Sequence, residues 1–512
     1  VSSLYGSEAL GGVINVIRKR PAKAQASLTL DWTTRQSDQG IRLDSGKVGK
    51  WAFSTSFKHM DIRERGTNVT SNMYGKKYFF NIDGHMDVSK DKQLSVFFDY
   101  LKEDLDMKDS AMQRTGYDHD RITTGLKYSG RDSRGDYEMQ AYYTYFDKNQ
   151  RTRNRASGSL HSFDDMTFNS LIFDGRRSMQ IEKNHLLTVG GEYRKEDYKG
   201  TRIRGTKTKT LEGVTNQLGD SSMNYAALYL QDEWVASPRW LLIPSIRWDY
   251  NDIFGSEITG KLGTTYKVSK NLRFKANIGT AYRAPTASEL YFDWRHTPNA
   301  RMDVHIIGNP NLKPEKSFNF DIGIEAERGK TSGKLSYFRN KVEDLININT
   351  VITPLPGFPP RMLATGTYQN IDSATIQGIE LEAKQDLGSG FSLRGLYTYL
   401  DAHDDKADIR LVGRARHKAS LQLSYDDPRH GWNATLWQDW IFGYRYAERV
   451  GSGMAARTVY KDASLGLMNF VVTKKFSDQF SAYLGVDNIF NKESDALAYD
   501  GRIWRGGVRM TF

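Results

Sequence analysis

The stretch AYRAPTASELYFDWRHTPNARMDVHIIGNPNLKPEKS, residues 281–317, holds the side chains with the widest chemical reach in the chain. Imidazole is a common ligand of iron, and His296 and His305 both fall here. Tyr291, Phe292 and Trp294 offer flat faces for stacking. Arg283 stands near the head of the stretch. Arg273 and Lys275 flank Phe274 shortly before it, so these cations face a lumen if Phe274 and Tyr282 face lipid. A row of this kind concentrates anions. Two further basic groups, Arg151, Arg153 and Arg155, then Lys199, Arg202, Arg204, Lys207 and Lys209, could do the same, or could pair with lipid phosphates.

Covalent chemistry finds no support. There is no His-x-x-x-His on a helix, no Gly-x-Ser-x-Gly elbow and no carboxylate pair placed for acid–base work. Glu192, Asp321 and Glu325 are expected to pair with neighbouring arginines. The opening stretch VSSLYGSEALGGVINVIRKRP is glycine-rich, but a phosphate cradle needs Gly-Lys-Ser/Thr opening a helix. Here the β-branched run Val13–Ile17 follows instead. No enzyme is expected.

The elements that carry these residues are read from composition and period. Of 512 residues only 38% are apolar and 26% are charged, with a mean hydropathy of −0.61. Disordered chains are poor in aromatics, yet this one has 28 Tyr, 24 Phe and 10 Trp. Glycine is abundant, at 45, proline scarce, at 12, and cysteine absent, which removes disulfides and thiolate metal sites. The net charge of +11 suits anionic partners without choosing among them. No apolar run is long enough for a membrane helix. No signal peptide is visible, and the chain reads as a mature or truncated piece.

The hydrophobic period is two. Leu94, Val96, Phe98 and Tyr100 share one face, as do Tyr137, Met139, Ala141, Tyr143 and Tyr145. This predicts half-buried strands of about ten residues. Ten short polar turns, at 45–49, 89–92, 130–135, 182–184, 236–238, 269–271, 329–331, 386–390, 426–431 and 477–479, alternate with longer connections. Eight of the twelve prolines lie in two of those connections and none in the proposed strands. Twenty-two antiparallel strands with short turns at one end and long loops at the other predict an all-β transmembrane barrel, its outside apolar and its inside wet. Trp51, Trp234, Trp240 and Trp437 are expected in its aromatic girdle. A lumen of this size needs a plug. A soluble propeller would show repeated blades, and none is found.

The segment LYGSEALGGVINVIRKRP, with Gly6, Gly11 and Gly12, resembles the end of the plug domain of TonB-dependent outer-membrane receptors. Tyr282-Arg283-Ala284-Pro285 and Asn309-Pro310-Asn311-Leu312 resemble two further boxes of that family. The chain's last residue, Phe512, closes an alternating strand and resembles the signal read by the barrel-assembly machinery. The resemblance implies a plug end over residues 1–20 and a barrel over 21–512. It implies a receptor in a Gram-negative-type outer membrane, surrounded by lipid and lipopolysaccharide and energised by TonB–ExbB–ExbD through a segment that this sequence does not show.

The implied cargo is an iron chelate, a ferric siderophore of catecholate type. The site would then be built from Arg273, Lys275, Arg283, Tyr291 and Trp294. Haem is the alternative, with His296 or His305 as an axial ligand. No intrinsic cofactor or metal and no nucleic-acid partner is expected. A passive porin or surface adhesin is the alternative of another class. Phe358 and Met362, in a proline-stiffened loop, could cover a ligand or meet another protein.

Overall fold

A computed structural model describes residues 18, 20–64, 73–299, 301–357, 361–451 and 457–512. Gly6, Gly11, Gly12 and Phe358 lie outside the described residues, as does most of the expected plug end.

Alternation of side chains makes a sheet with two unlike faces, and the sheet closes on itself. Each barrel strand is antiparallel to the next, from Ala24–Thr33 round to Ile503–Thr511. The last then pairs with the first, Leu28 opposite Met510 and Leu30 opposite Val508. Phe512 completes the seam by exchanging backbone bonds of 2.8 and 3.1 Å with Ala26. Of 26 strands in the sheet, Lys207–Leu211, Asp293–Asn299, Met302–Ile307 and Ile409–Arg410 belong to long connections, and twenty-two form the cylinder. All ten short turns expected from sequence are present. The outer face is apolar and open: Leu228, Ile258 and Leu484 are 62%, 65% and 69% exposed. Closure leaves no unpaired edge to face lipid. No helix among the described residues is long and apolar enough to cross a membrane, and the crossing is made by strands.

Several expectations are corrected. Strands run from 8 residues, Phe480–Asp487, to 28, Arg361–Gly388, rather than about ten. At about 3.3 Å per residue the longest spans roughly three times a hydrocarbon core of about 30 Å. Segments expected as loops, such as 105–118 and 149–165, are therefore largely hairpins standing clear of the apolar band. Proline does enter the cylinder. Pro244 lies inside Trp240–Asn251, where the ladder to the preceding strand lapses between Ser245 and Leu242. It cannot donate there, and the lapse accommodates it. Trp437 is not a girdle residue. It alternates with outward-facing Leu436 and lies beneath the Arg505 guanidinium, 5.6 Å away.

Tyr282 does not face lipid. Above Gly279 its strand, Leu272–Arg283, is paired with Glu315–Arg328 but no longer with Gly255–Ser269. Tyr282 is 3% exposed, bonded to Asp249 and edge-on to Phe254 at 6.4 Å.

Candidate roof site at the long-loop end

The connection after Leu272–Arg283 is not an open loop. Thr286 caps the helix Ala287–Tyr291, and Glu289 reaches back to the Thr286 backbone at 2.8 Å, a reciprocal cap. Leu290 and Ala287 bury against Met223 and Leu312. Arg283 anchors this base. Its Nε and Nη2 donate to Glu315 at 2.7 and 2.6 Å, and Nη1 and Nη2 donate to Glu289 at 3.0 Å each. Both carboxylates are occupied by a bidentate fork. The structure thus gives Arg283 a clamping role, where the sequence reading placed it on a ligand.

The second box is equally structural. The Asn309 backbone N–H donates to Glu289 O at 2.8 Å, its side chain donates to Tyr368 O at 3.1 Å, and its Oδ1 accepts from Asn311 N–H at 3.0 Å. Pro310 sits in that turn, and Pro285 is fully buried where the helix begins. Gly308 has to be glycine. A Cβ there would stand 2.5 Å from Phe292 N and 2.7 Å from the Leu290 carbonyl carbon.

Beyond the helix the chain forms a hairpin, Asp293–Asn299 with Met302–Ile307. Its second strand then pairs in parallel with 362–367 of Arg361–Gly388. That long strand meets its following neighbour, Phe391–Asp404, only from Ala374 onward. The edge at 362–367 would otherwise be open, and the hairpin covers it. Arg361 reinforces the join with two bonds to Asp303, at 2.7 and 2.6 Å. At the other side, Phe292 bridges Ile203, and Asp293 N–H donates to Arg202 O at 2.9 Å. The connection is a strap fixed at both sides.

Register decides which candidates meet. His296 faces Val304 across the hairpin and shares a face with Trp294, whereas His305 faces Arg295 on the opposite face. One haem iron cannot take both as axial ligands without rebuilding the hairpin. His305 Nε2 is instead 2.8 Å from Asp293 Oδ1. On the other face Trp294 stacks on His296 at 5.2 Å, nearly parallel. The Arg202 guanidinium lies 4.9 Å from the Trp294 ring, and His161 stands edge-on to His296 at 5.9 Å. Arg202 also approaches Asp164, Nε to Oδ2 being 3.4 Å, and Asp164 accepts from Lys148 at 2.6 Å. The result is a cationic and aromatic cluster from three connections. Tyr291 turns away from it and packs on the buried base.

Arg273 and Lys275 are not part of this site. They follow a short turn, about 30 Å along the strand from Arg283. Both donate to Glu325, at 2.7 and 2.8 Å, and Arg273 and Glu325 line a cavity of about 520 Å³ with Lys267, Lys270, Lys334 and Glu382. Glu192 pairs with Arg247 at 3.5 Å as expected, but Asp321 takes Asn277 rather than an arginine. Arg153 forks onto Glu212, and Arg151 pairs with Asp165.

Burial lowers the His296 basicity below the ordinary imidazole range, and His161 and Arg202 lower it further. A group whose folded value is depressed stabilises the fold above its unfolded value and loses that contribution as pH falls. Strap attachment should therefore weaken on acidification below the imidazole range, about pH 6.5. Limited proteolysis across pH 5–8 should show faster cleavage within 293–307 at the acid end. His296→Phe should flatten that dependence; an unchanged profile would remove His296 as its source.

A closed cylinder, greasy outside, polar inside and overlaid by a folded connection, defines a transmembrane β-barrel. The chain belongs to the TonB dependent receptor-like, beta-barrel family, whose model matches residues 56–489. It is 26% identical to the vitamin B12 transporter BtuB of Photobacterium profundum, over 96% of this chain and 74% of that protein. It is 24% identical to an iron-regulated outer membrane virulence protein of Vibrio cholerae, over 100% of this chain and 78% of that protein. Among solved structures, a variant of the ferric enterobactin receptor PfeA of Pseudomonas aeruginosa superposes with a TM-score of 0.81 at 18% identity, covering 100% of this chain and 83% of that one.

Proposed function

We propose that the chain is the barrel of a TonB-energised receptor in a Gram-negative-type outer membrane, and that it binds a ferric siderophore of catecholate type. Residues 1–20 would end the plug, and lipopolysaccharide would face the rim. The observation that carries the ligand class is the Arg202–Trp294–His296 stack on the strap. A ferric catecholate is a polyanion with flat rings. A guanidinium held over an indole matches both properties, and the basic surroundings raise the local anion concentration.

Growth on ferric enterobactin, other ferric siderophores or haem as sole iron source, with and without the gene, tests the class. Arg202→Ala should weaken ferric enterobactin binding about tenfold, the scale of a desolvated cation–π contact with its charge. Equal affinity would sink this site. Haem is a second reading because the His296 ring stacks on Trp294 at 5.2 Å, an imidazole beside a flat aromatic face. Its outcome would be haem-dependent growth abolished by His296→Ala and indifferent to His305→Ala.

A further inference from the structure

Three adjacent strands, Arg414–Asp427, Trp432–Val450 and Arg457–Lys475, carry at their long-loop end a row of arginines that the ligand reading does not use. Arg414 lies directly opposite Arg445, and Arg445 directly opposite Asp462. Residues opposite one another in a ladder share a face, and Arg416, two positions along, shares it too. The face is the inner one. His417, which alternates with Arg416, is opposite Phe442, and Phe442 is 46% exposed on the same outward side as Leu436. Gly443 lets the row close up. Its φ is +60°, and a Cβ there would stand 3.3 Å from the Arg416 Cβ.

Like charges placed directly opposite repel, and little in the wall offsets them. Asp462 is already taken by Arg410, which donates to it at 3.3 and 3.4 Å and to Gly443 O at 2.7 Å. Arg414 donates to the backbone carbonyls of Val412 and Gly413, at 3.2 and 3.5 Å. The Arg445 guanidinium lies 5.1 Å from the Tyr460 ring. Its Nε and that of Arg416 are buried with no hydrogen-bond partner among the described residues. The sequence joining the second and third strands, GSGMAA at 451–456, contains no carboxylate.

A buried donor without a partner costs stability, and so does an uncompensated row of cations. An anion with several acceptor oxygens relieves both, and guanidinium forks match two oxygens on one phosphorus. We propose that Arg414, Arg416 and Arg445 form a second binding site on the lumen wall, for a small soluble phosphate-type oxyanion with two or more charges. The strap joins the wall at 362–367, and the strand Phe391–Asp404 stands between that strand and Arg414–Asp427. The site therefore lies apart from the Arg202–Trp294–His296 stack and does not depend on the chelate reading.

The test titrates the full-length receptor, in detergent at low salt, with sodium pyrophosphate. Arg414→Gln with Arg416→Gln should weaken pyrophosphate binding about tenfold or more, the scale of losing charge-assisted hydrogen bonds. Arg416→Lys, which keeps the charge and loses the fork, should lie between. Arg429→Gln, in an exposed short turn, should bind as the wild type does. Pyrophosphate should also raise the melting temperature of the wild type and leave that of the double variant unmoved. No pyrophosphate binding by the wild type, an equal loss in Arg429→Gln, or full affinity in the double variant overturns the site. If the double variant does not fold, Arg414→Gln alone, at an exposed position, gives the same reading with a smaller loss. Two competitors separate the sources. Lipopolysaccharide and ferric enterobactin should both leave pyrophosphate bound. Displacement by lipopolysaccharide would make the arginines a lipid contact, displacement by ferric enterobactin would place them in the chelate site, and either overturns the proposal. A receptor that takes pyrophosphate and no ferric chelate would overturn the ligand reading alone.

Discussion

Glu315→Ala is expected to detach the roof while leaving the cylinder intact. Glu315 is 5% exposed and accepts from Arg283 twice and from the Ile346 backbone N–H at 2.9 Å. Its removal strands a part-buried guanidinium with Glu289 alone and orphans that N–H. Breaking a buried pair from one side costs about 3–5 kcal/mol. Glu289 cannot absorb the change freely, because the same carboxylate caps the helix Ala287–Tyr291. The barrel ladder does not depend on this contact, so heat-resistant migration in detergent should persist. Cleavage within 285–314 should rise about a hundredfold, the lower bound of that cost, and, on the proposed ligand reading, ferric enterobactin affinity should fall with it. Glu315→Gln, which can still accept one bond from Arg283, should lie between. Wild-type protease resistance in Glu315→Ala would show that the clamp contributes nothing.

Strand order and turns were legible in the sequence because both are local. A period of two needs only neighbouring residues, and turns such as Ser269–Asn271 announce themselves by residue type. Strand length was not legible. Above the apolar band both faces of a hairpin are wet, so 105–118 loses its alternation without losing its ladder. The end of the barrel occupied by Arg273 and Lys275 could have been read, since both follow a short turn directly. The inward aim of Trp437 could have been read from Leu436 beside it. The roof could not. His161, Arg202 and His296 come from three connections, and only the parallel join to 362–367 and the Ile203–Phe292 bridge bring them together. The two boxes flank the strap, their side chains hold the fold, and the cluster lies between them.

The largest loss of ligand binding should follow excision of Asp293–Ile307. Phe292 and Gly308 are already joined by a 2.7 Å backbone bond at the neck of the hairpin, so an Asn-Gly turn can close the gap without moving either. The helix, Arg283 and the Asn309 turn all remain. What goes is Trp294 and His296, the surface that Arg202 lies on, and the cover over 362–367. On the proposed ligand reading, losing a stacking platform and its cation contact together should cost about thirtyfold or more in ferric enterobactin affinity, the sum of two effects of about 1–2 kcal/mol each. The freed edge supplies a second, independent signature. Strand 362–367 would present unpaired N–H and C=O groups beside Val351 and Ile352, which are themselves exposed, and such an edge recruits another chain. The excised protein should therefore dimerise in detergent more than the intact receptor, and Met362→Pro should reverse this by removing an edge donor, the N–H given to Arg301 O at 2.9 Å in the intact chain. Retained affinity would mean that the strap is only a cover, and that the ligand is held by the wall beneath it.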